Sequence, residues 1–73
     1  MKPEVIDMLK AHVAHARDKH PDWIPNDDYV LSVAEMEWHE FFHALKFEGR
    51  KRAVEEGLDL MAVLVRFIEG DAE

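Results

Sequence analysis

Residues 28–69 read DYVLSVAEMEWHEFFHALKFEGRKRAVEEGLDLMAVLVRFIE, and the spacing of their apolar side chains decides the fold. Val30, Val33, Ala34, Phe41, Ala44 and Leu45 recur on one face at the helical period. The spacing predicts a helix from about Asp28 to Glu48. Gly49 ends it, because glycine adopts a left-handed cap conformation at no steric cost. A further helix is expected over residues 50–69, closed by Gly70. A joint this short predicts that the two helices lie antiparallel, as a helical hairpin.

Towards the N-terminus, Ile6, Leu9, Val13 and Ala16 mark a third helical stripe. Pro3 suits the first turn, where its missing N–H would be unpaired anyway. Pro21 disfavours helix for the residue before it, so this helix is expected over 3–20. Residues 21–26, Pro-Asp-Trp-Ile-Pro-Asn, read as a loop with two prolines. Asn26 or Asp27 is placed to cap the helix that follows. No strand pattern, repeat or linker is present. The expected fold class is all-α, one domain over residues 1–73 with three helices per chain.

Of the 73 residues, 16 are acidic and 9 basic, a formal charge of −7. Such an excess of acid argues against a protein that tracks nucleic-acid phosphates. There is no apolar run near ~18 residues, so no membrane span is expected. The acidic, apolar-poor start is unlike a signal peptide, and a cytoplasmic protein is expected. Without cysteine, disulfides and thiolate chemistry are excluded. A chain this short buries only about 60% of its unfolded surface and needs support from a metal, a partner subunit or close helix packing. The last helix is apolar on two sides. Ala53, Leu60, Val63, Leu64 and Phe67 form one stripe; Val54, Leu58, Met61, Val65 and Ile68 form another. Two stripes predict burial on both sides, one against the chain's own helices and one against a second copy. A homodimer or homotetramer is therefore expected to complete the helical bundle. The alternative is a central helix packed between the other two of its own chain.

Four carboxylates interrupt these stripes. Glu37 and Glu40 are spaced i, i+3, as are Glu56 and Asp59, so each pair shares one side of its helix. Glu37 and Glu56 fall inside apolar stripes, and Glu40 and Asp59 at their edges. Glu40 and Glu56 each lie 8 positions from residue 48, and Glu37 and Asp59 each lie 11. In a hairpin turning there, the pairs face each other at two adjacent levels. Four converging negative charges need compensation. A hard divalent cation supplies it, and oxygen-only ligands suit Mg²⁺, Mn²⁺ or Ca²⁺ rather than zinc. The competing reading is four solvated acids at a helix border, ion-paired with Arg52 and Arg66. Those arginines share an edge of the helix with Asp59 and are candidates for phosphate contacts, since arginine binds phosphate bidentately.

The pattern Glu37-x-x-Glu40, a fifteen-residue spacer, then Glu56-x-x-Asp59 resembles the MazG-like all-α nucleoside triphosphate pyrophosphohydrolases. Their motif reads EExxE, a variable spacer, then ExxD. The likeness covers residues 28–69; Met36 stands where the family has its first glutamate. The resemblance implies that Glu37, Glu40, Glu56 and Asp59 hold Mg²⁺ and are the catalytic residues. It further implies hydrolysis of a nucleoside triphosphate to the monophosphate and pyrophosphate, in nucleotide-pool clean-up. The phosphoribosyl-ATP pyrophosphohydrolases share the paired acids, but their other features are not evident here.

Other motifs compete. His39-Glu40-Phe41-Phe42-His43 matches the HExxH pattern of zinc proteases, without a third ligand or room for a cleft. Glu40-x-x-His43 matches half of a di-iron motif, whose second half is absent. His12, His15 and His20 read as surface histidines on one exposed side of the first helix. Trp23, Tyr29 and Trp38 are candidates to stack on a base. A non-enzymatic helical oligomerisation or regulatory module is the remaining class.

Overall fold

A computed structural model describes residues 1–23 and 26–71. Helix α1 spans Pro3–Lys19, α2 spans Asp27–His43 and α3 spans Arg50–Glu69. A π-helical segment, Ala44–Glu48, continues α2. The described residues contain no strand, and the molecule is all-α. Of the loop expected over 21–26, Ile24 and Pro25 lie outside the described residues.

The helix ends follow local chemistry. Pro3 opens α1, and the His20 N–H closes it on the Ala16 carbonyl. Asn26 is the cap of α2: its side-chain oxygen accepts from the N–H groups of Asp28 and Tyr29, at 2.8 and 3.3 Å. The helix therefore begins at Asp27, one residue earlier than its apolar pattern. Over Ala44–Glu48 the helix widens to the π form, and Gly49 leaves at φ 94°, ψ 170°, an extended positive-φ conformation in place of the expected left-handed cap. Gly70 closes α3 in the left-handed conformation.

Helix α3 packs against both α1 and α2, while α1 and α2 make no backbone contact with each other among the described residues. The last helix is thus central within its own chain. Phe41 of α2 lies over Gly57 of α3, where an added Cβ would come within 3.4 Å of the ring. The buried apolar residues are Val13, Ala44, Ala53, Leu58, Ala62 and Val63. Three of these are alanines, which let the helices approach closely but bury little area. Leu45, expected in the α2 stripe, is 59% exposed because it falls in the widened π turn. Leu64 and Phe67 of one α3 stripe, and Val54 and Ile68 of the other, are also exposed. The three-helix layer covers only one broad arc of α3.

At the far end, α1 is held to α3 by Arg66, which is 3% exposed. Its guanidinium donates to the carbonyls of Ala16 and His20 and to Asp71. The last turn of a helix leaves carbonyls without partners; here a buried arginine from another helix donates to that of His20 and adds a second donor to that of Ala16. Trp23 covers that guanidinium at 4.7 Å, and Arg17 binds Asp71 from the other side.

Candidate metal centre

Glu37 is carried by α2 between Ala34 and Phe41, the residues that turn this face towards α3. Glu56 and Asp59 leave α3 one turn apart, flanking Gly57. The missing side chain at Gly57 lets α2 come close. One carboxylate oxygen from each of Glu37, Glu56 and Asp59 lies within 4.8 Å of the others. Glu56 is 5% exposed, and Glu37 and Asp59 are half-buried. Glu40 is exposed one turn along α2. It lines an open cavity of about 550 Å³ together with Glu56 and Arg52.

The electrostatics are those of unbalanced acid. Burial pushes the Glu37 carboxyl up to about 7, helped by the charge and hydrogen bond of Glu40 and by Asp59 and Glu56. Burial also raises Glu56. Arg52 opposes that rise, while Glu40 and Asp59 add to it. Arg52 reaches one Glu56 oxygen at 2.5 Å and Glu55 at 3.1 Å. The remaining oxygens, Oε2 of Glu37 and Oε2 of Glu56, are buried with no hydrogen-bond partner. A buried acceptor left unpaired carries its full desolvation cost. These two oxygens and the Asp59 carboxylate are a group that could hold a hard cation. An all-oxygen set suits Mg²⁺ or Mn²⁺, which retain several waters and take few protein carboxylates.

The remaining expected residues separate. Arg52 stands at the cluster. Arg66 does not touch it; the guanidinium is engaged by α1 and Asp71, at the other end of a groove that Glu37 and Asp59 open into. That groove, of about 280 Å³, runs between α1 and α2 over α3, and Trp23 and Tyr29 meet edge to face at 5.5 Å on its lining. Trp38 lies beside Phe41 and Phe42, half exposed, away from that groove. His39 and His43 of the HExxH pattern are exposed and face their own acids, Glu35 at 3.6 Å and Glu48 at 3.1 Å.

His12 corrects the expectation of three surface histidines. Its Nδ1 lies 2.7 Å from Asp59 Oδ1, in a half-buried contact between α1 and α3. The signal was present in the spacing, since His12 falls three residues after Leu9 and four before Ala16, inside the apolar stripe. Its partner on another helix was not readable from that spacing.

Comparisons of the chain with protein-family models, with curated proteins and with solved structures find no match.

Proposed function

We propose that the chain is a Mg²⁺-dependent nucleoside triphosphate pyrophosphohydrolase of the MazG-like kind, with Mn²⁺ as a substitute ion. The observation that carries this reading is the pair of buried, unpartnered oxygens of Glu37 and Glu56 beside Asp59. Glu37, Glu56 and Asp59 would hold the ion, with Glu40 at the exposed edge. A carboxylate-held Mg²⁺ polarises phosphate oxygens and lowers the pKa of bound water. In the reaction a water oxygen bonds to the α-phosphorus, the bond to the bridging oxygen breaks, pyrophosphate leaves with that bond's electron pair, and the proton of the attacking water passes to solvent. Such chemistry asks the protein for positioning and charge neutralisation more than for covalent catalysis. Arg52 is the cation beside the cluster, and a phosphate would compete with Glu55 and Glu56 for it. Trp23 and Tyr29 offer the aromatic surface for a base at the far end of the α1–α2 groove. Arg66 belongs to the architecture.

The same reading includes the antiparallel hairpin and its completion as a bundle by a second copy. Contact of Phe41 with Gly57 and of Glu37 with Asp59, either side of the Gly49 joint, supports the hairpin. Exposed Leu31, Trp38, Phe42 and Leu45 on one line of α2 and its π turn support the second copy.

Thermal unfolding with and without Mg²⁺ or Mn²⁺, on a panel of nucleoside triphosphates with a pyrophosphate readout, tests the function. A ligand that binds only the folded state raises the melting temperature, by about 2.7 kcal/mol of stability at a hundred times its Kd. Metal-dependent stabilisation with pyrophosphate release is expected; no response to metal overturns the site. A second reading, a helical assembly module without activity, has one observation in its favour: Arg52 and His12 already give Glu56 and Asp59 partners. Glu56→Gln separates the two. In the enzyme it abolishes hydrolysis and keeps the fold. In the module it changes nothing but stability, which rises as a buried charge is relieved.

A further inference from the structure

We infer that His12, on a helix outside the four-acid pattern, is a positioning residue that aims Asp59 at the metal seat. This rests on the proposed metal centre. Asp59 has one oxygen, Oδ1, held by His12 Nδ1 at 2.7 Å. An ionised carboxylate only accepts, so the imidazole nitrogen donates. Asp59 sits at the edge of α3 with a side chain 44% exposed, where an aspartate with no outside hold samples several rotamers. The bond from α1 restricts that choice, and a carboxylate that accepts one hydrogen bond keeps lone pairs for a cation shared with Glu37 and Glu56. Ligating carboxylates are typically fixed by such outer hydrogen bonds, and loss of one costs about 10–100-fold in metal affinity. Among the described residues, the one hydrogen bond to the Asp59 carboxylate comes from His12. The consequence is that α1 does more than cover α3. It completes the seat, so a metal bound there ties the first helix to the last.

Mn²⁺ binding, read from the electron paramagnetic resonance signal of free Mn²⁺, tests the assignment on the full chain. The set is wild type, His12→Phe, His12→Ala and His12→Asn, with Glu56→Gln as the reference for a lost ligand. His12→Phe keeps the ring volume and removes the donor. His12→Asn places an amide N–H near the position of Nδ1. Expected is a 10–100-fold rise in Kd for His12→Phe and His12→Ala, and recovery to within a few-fold of wild type for His12→Asn. Melting temperatures in chelator report the fold separately. If His12 only fastens α1 to α3, the Phe and Ala variants melt lower but bind Mn²⁺ as wild type does, which overturns the inference. Equal losses in all three variants overturn it too, because the donor then is not what matters. Mn²⁺ binding by wild type that Glu56→Gln leaves intact, or no binding at all, fails the metal centre itself and takes this inference with it.

Discussion

Glu37 holds a carboxyl raised from 4.5 to about 7, first by burial and then by Glu40. A group whose folded pKa is above its unfolded value binds more protons when folded, so stability falls as pH rises between those values. In chelator, the melting temperature is therefore expected to drop from pH 5 to pH 8. Saturating Mg²⁺ should remove most of that drop, and Glu37→Gln should flatten it. A flat profile for the wild-type protein in chelator would show that the cluster is not strained by its own charge. Asp71 has the opposite sign. The Arg17 hydrogen bond, with that of Arg66, pulls it from 3.8 to about 2. Its contribution is present above pH 3.8 and is lost as pH falls towards 2. The two carboxylates thus titrate in separate windows, one opposing the fold near neutrality and one supporting it until strong acid.

At the scale of elements, the connection between α2 and α3 sets the register of the acids. The helix widens over Ala44–Glu48, and the chain then passes through Gly49 at φ 94°, ψ 170°. That region is essentially open to glycine alone, and holding another residue there costs about 1–3 kcal/mol. Nothing lies within 4 Å of a Cβ built on Gly49, so the cost is one of backbone conformation and not of space. Gly49→Ala is expected to lower the melting temperature by roughly 4–8 °C per kcal/mol lost, the scaling for a domain of this size. A variant that melts with the wild type would place the joint elsewhere. The π segment follows directly on the Glu40 turn, the kind of position where such widenings accompany functional sites.

At the scale of the whole molecule, the chain exposes 5461 Å². A folded monomer of 8.5 kDa is expected to expose about 4,700 Å². The chain thus carries a surplus of exposed surface over that expectation. It coincides with exposed Leu31, Trp38, Phe42 and Leu45, and with a buried apolar core half made of alanine. Light scattering is expected to give a dimer or tetramer at micromolar concentration. Trp38→Glu with Phe42→Glu should shift it to monomer and remove the concentration dependence of melting. A wild-type monomer across that range would sink the proposed assembly.

Helical period, Pro3, Asn26, Gly49 and Gly70 are local signals, and they determined the all-α class and the helix ends to within a residue or so, save for the π form of 44–48. The approach of Glu37, Glu56 and Asp59 was legible, because equal distances from residue 48 and positions in or beside apolar stripes are properties of the sequence itself, whereas Glu40 stands exposed outside that group. Three things were decided only in three dimensions. His12 and Asp59 are 47 residues apart, and no spacing rule pairs side chains on helices with no short joint between them. Arg66 carried the chemistry of a phosphate ligand, yet α1 ends beside it, and its carbonyls and Asp71 take up the guanidinium. Each apolar stripe of α3 is split within the single chain: Ala53, Val63 and Leu58 are buried, while Leu64, Phe67, Val54 and Ile68 are exposed. Period and capping act within a few residues along the chain; which buried partner a charge finds depends on packing between helices, and that is set only once the chain has folded.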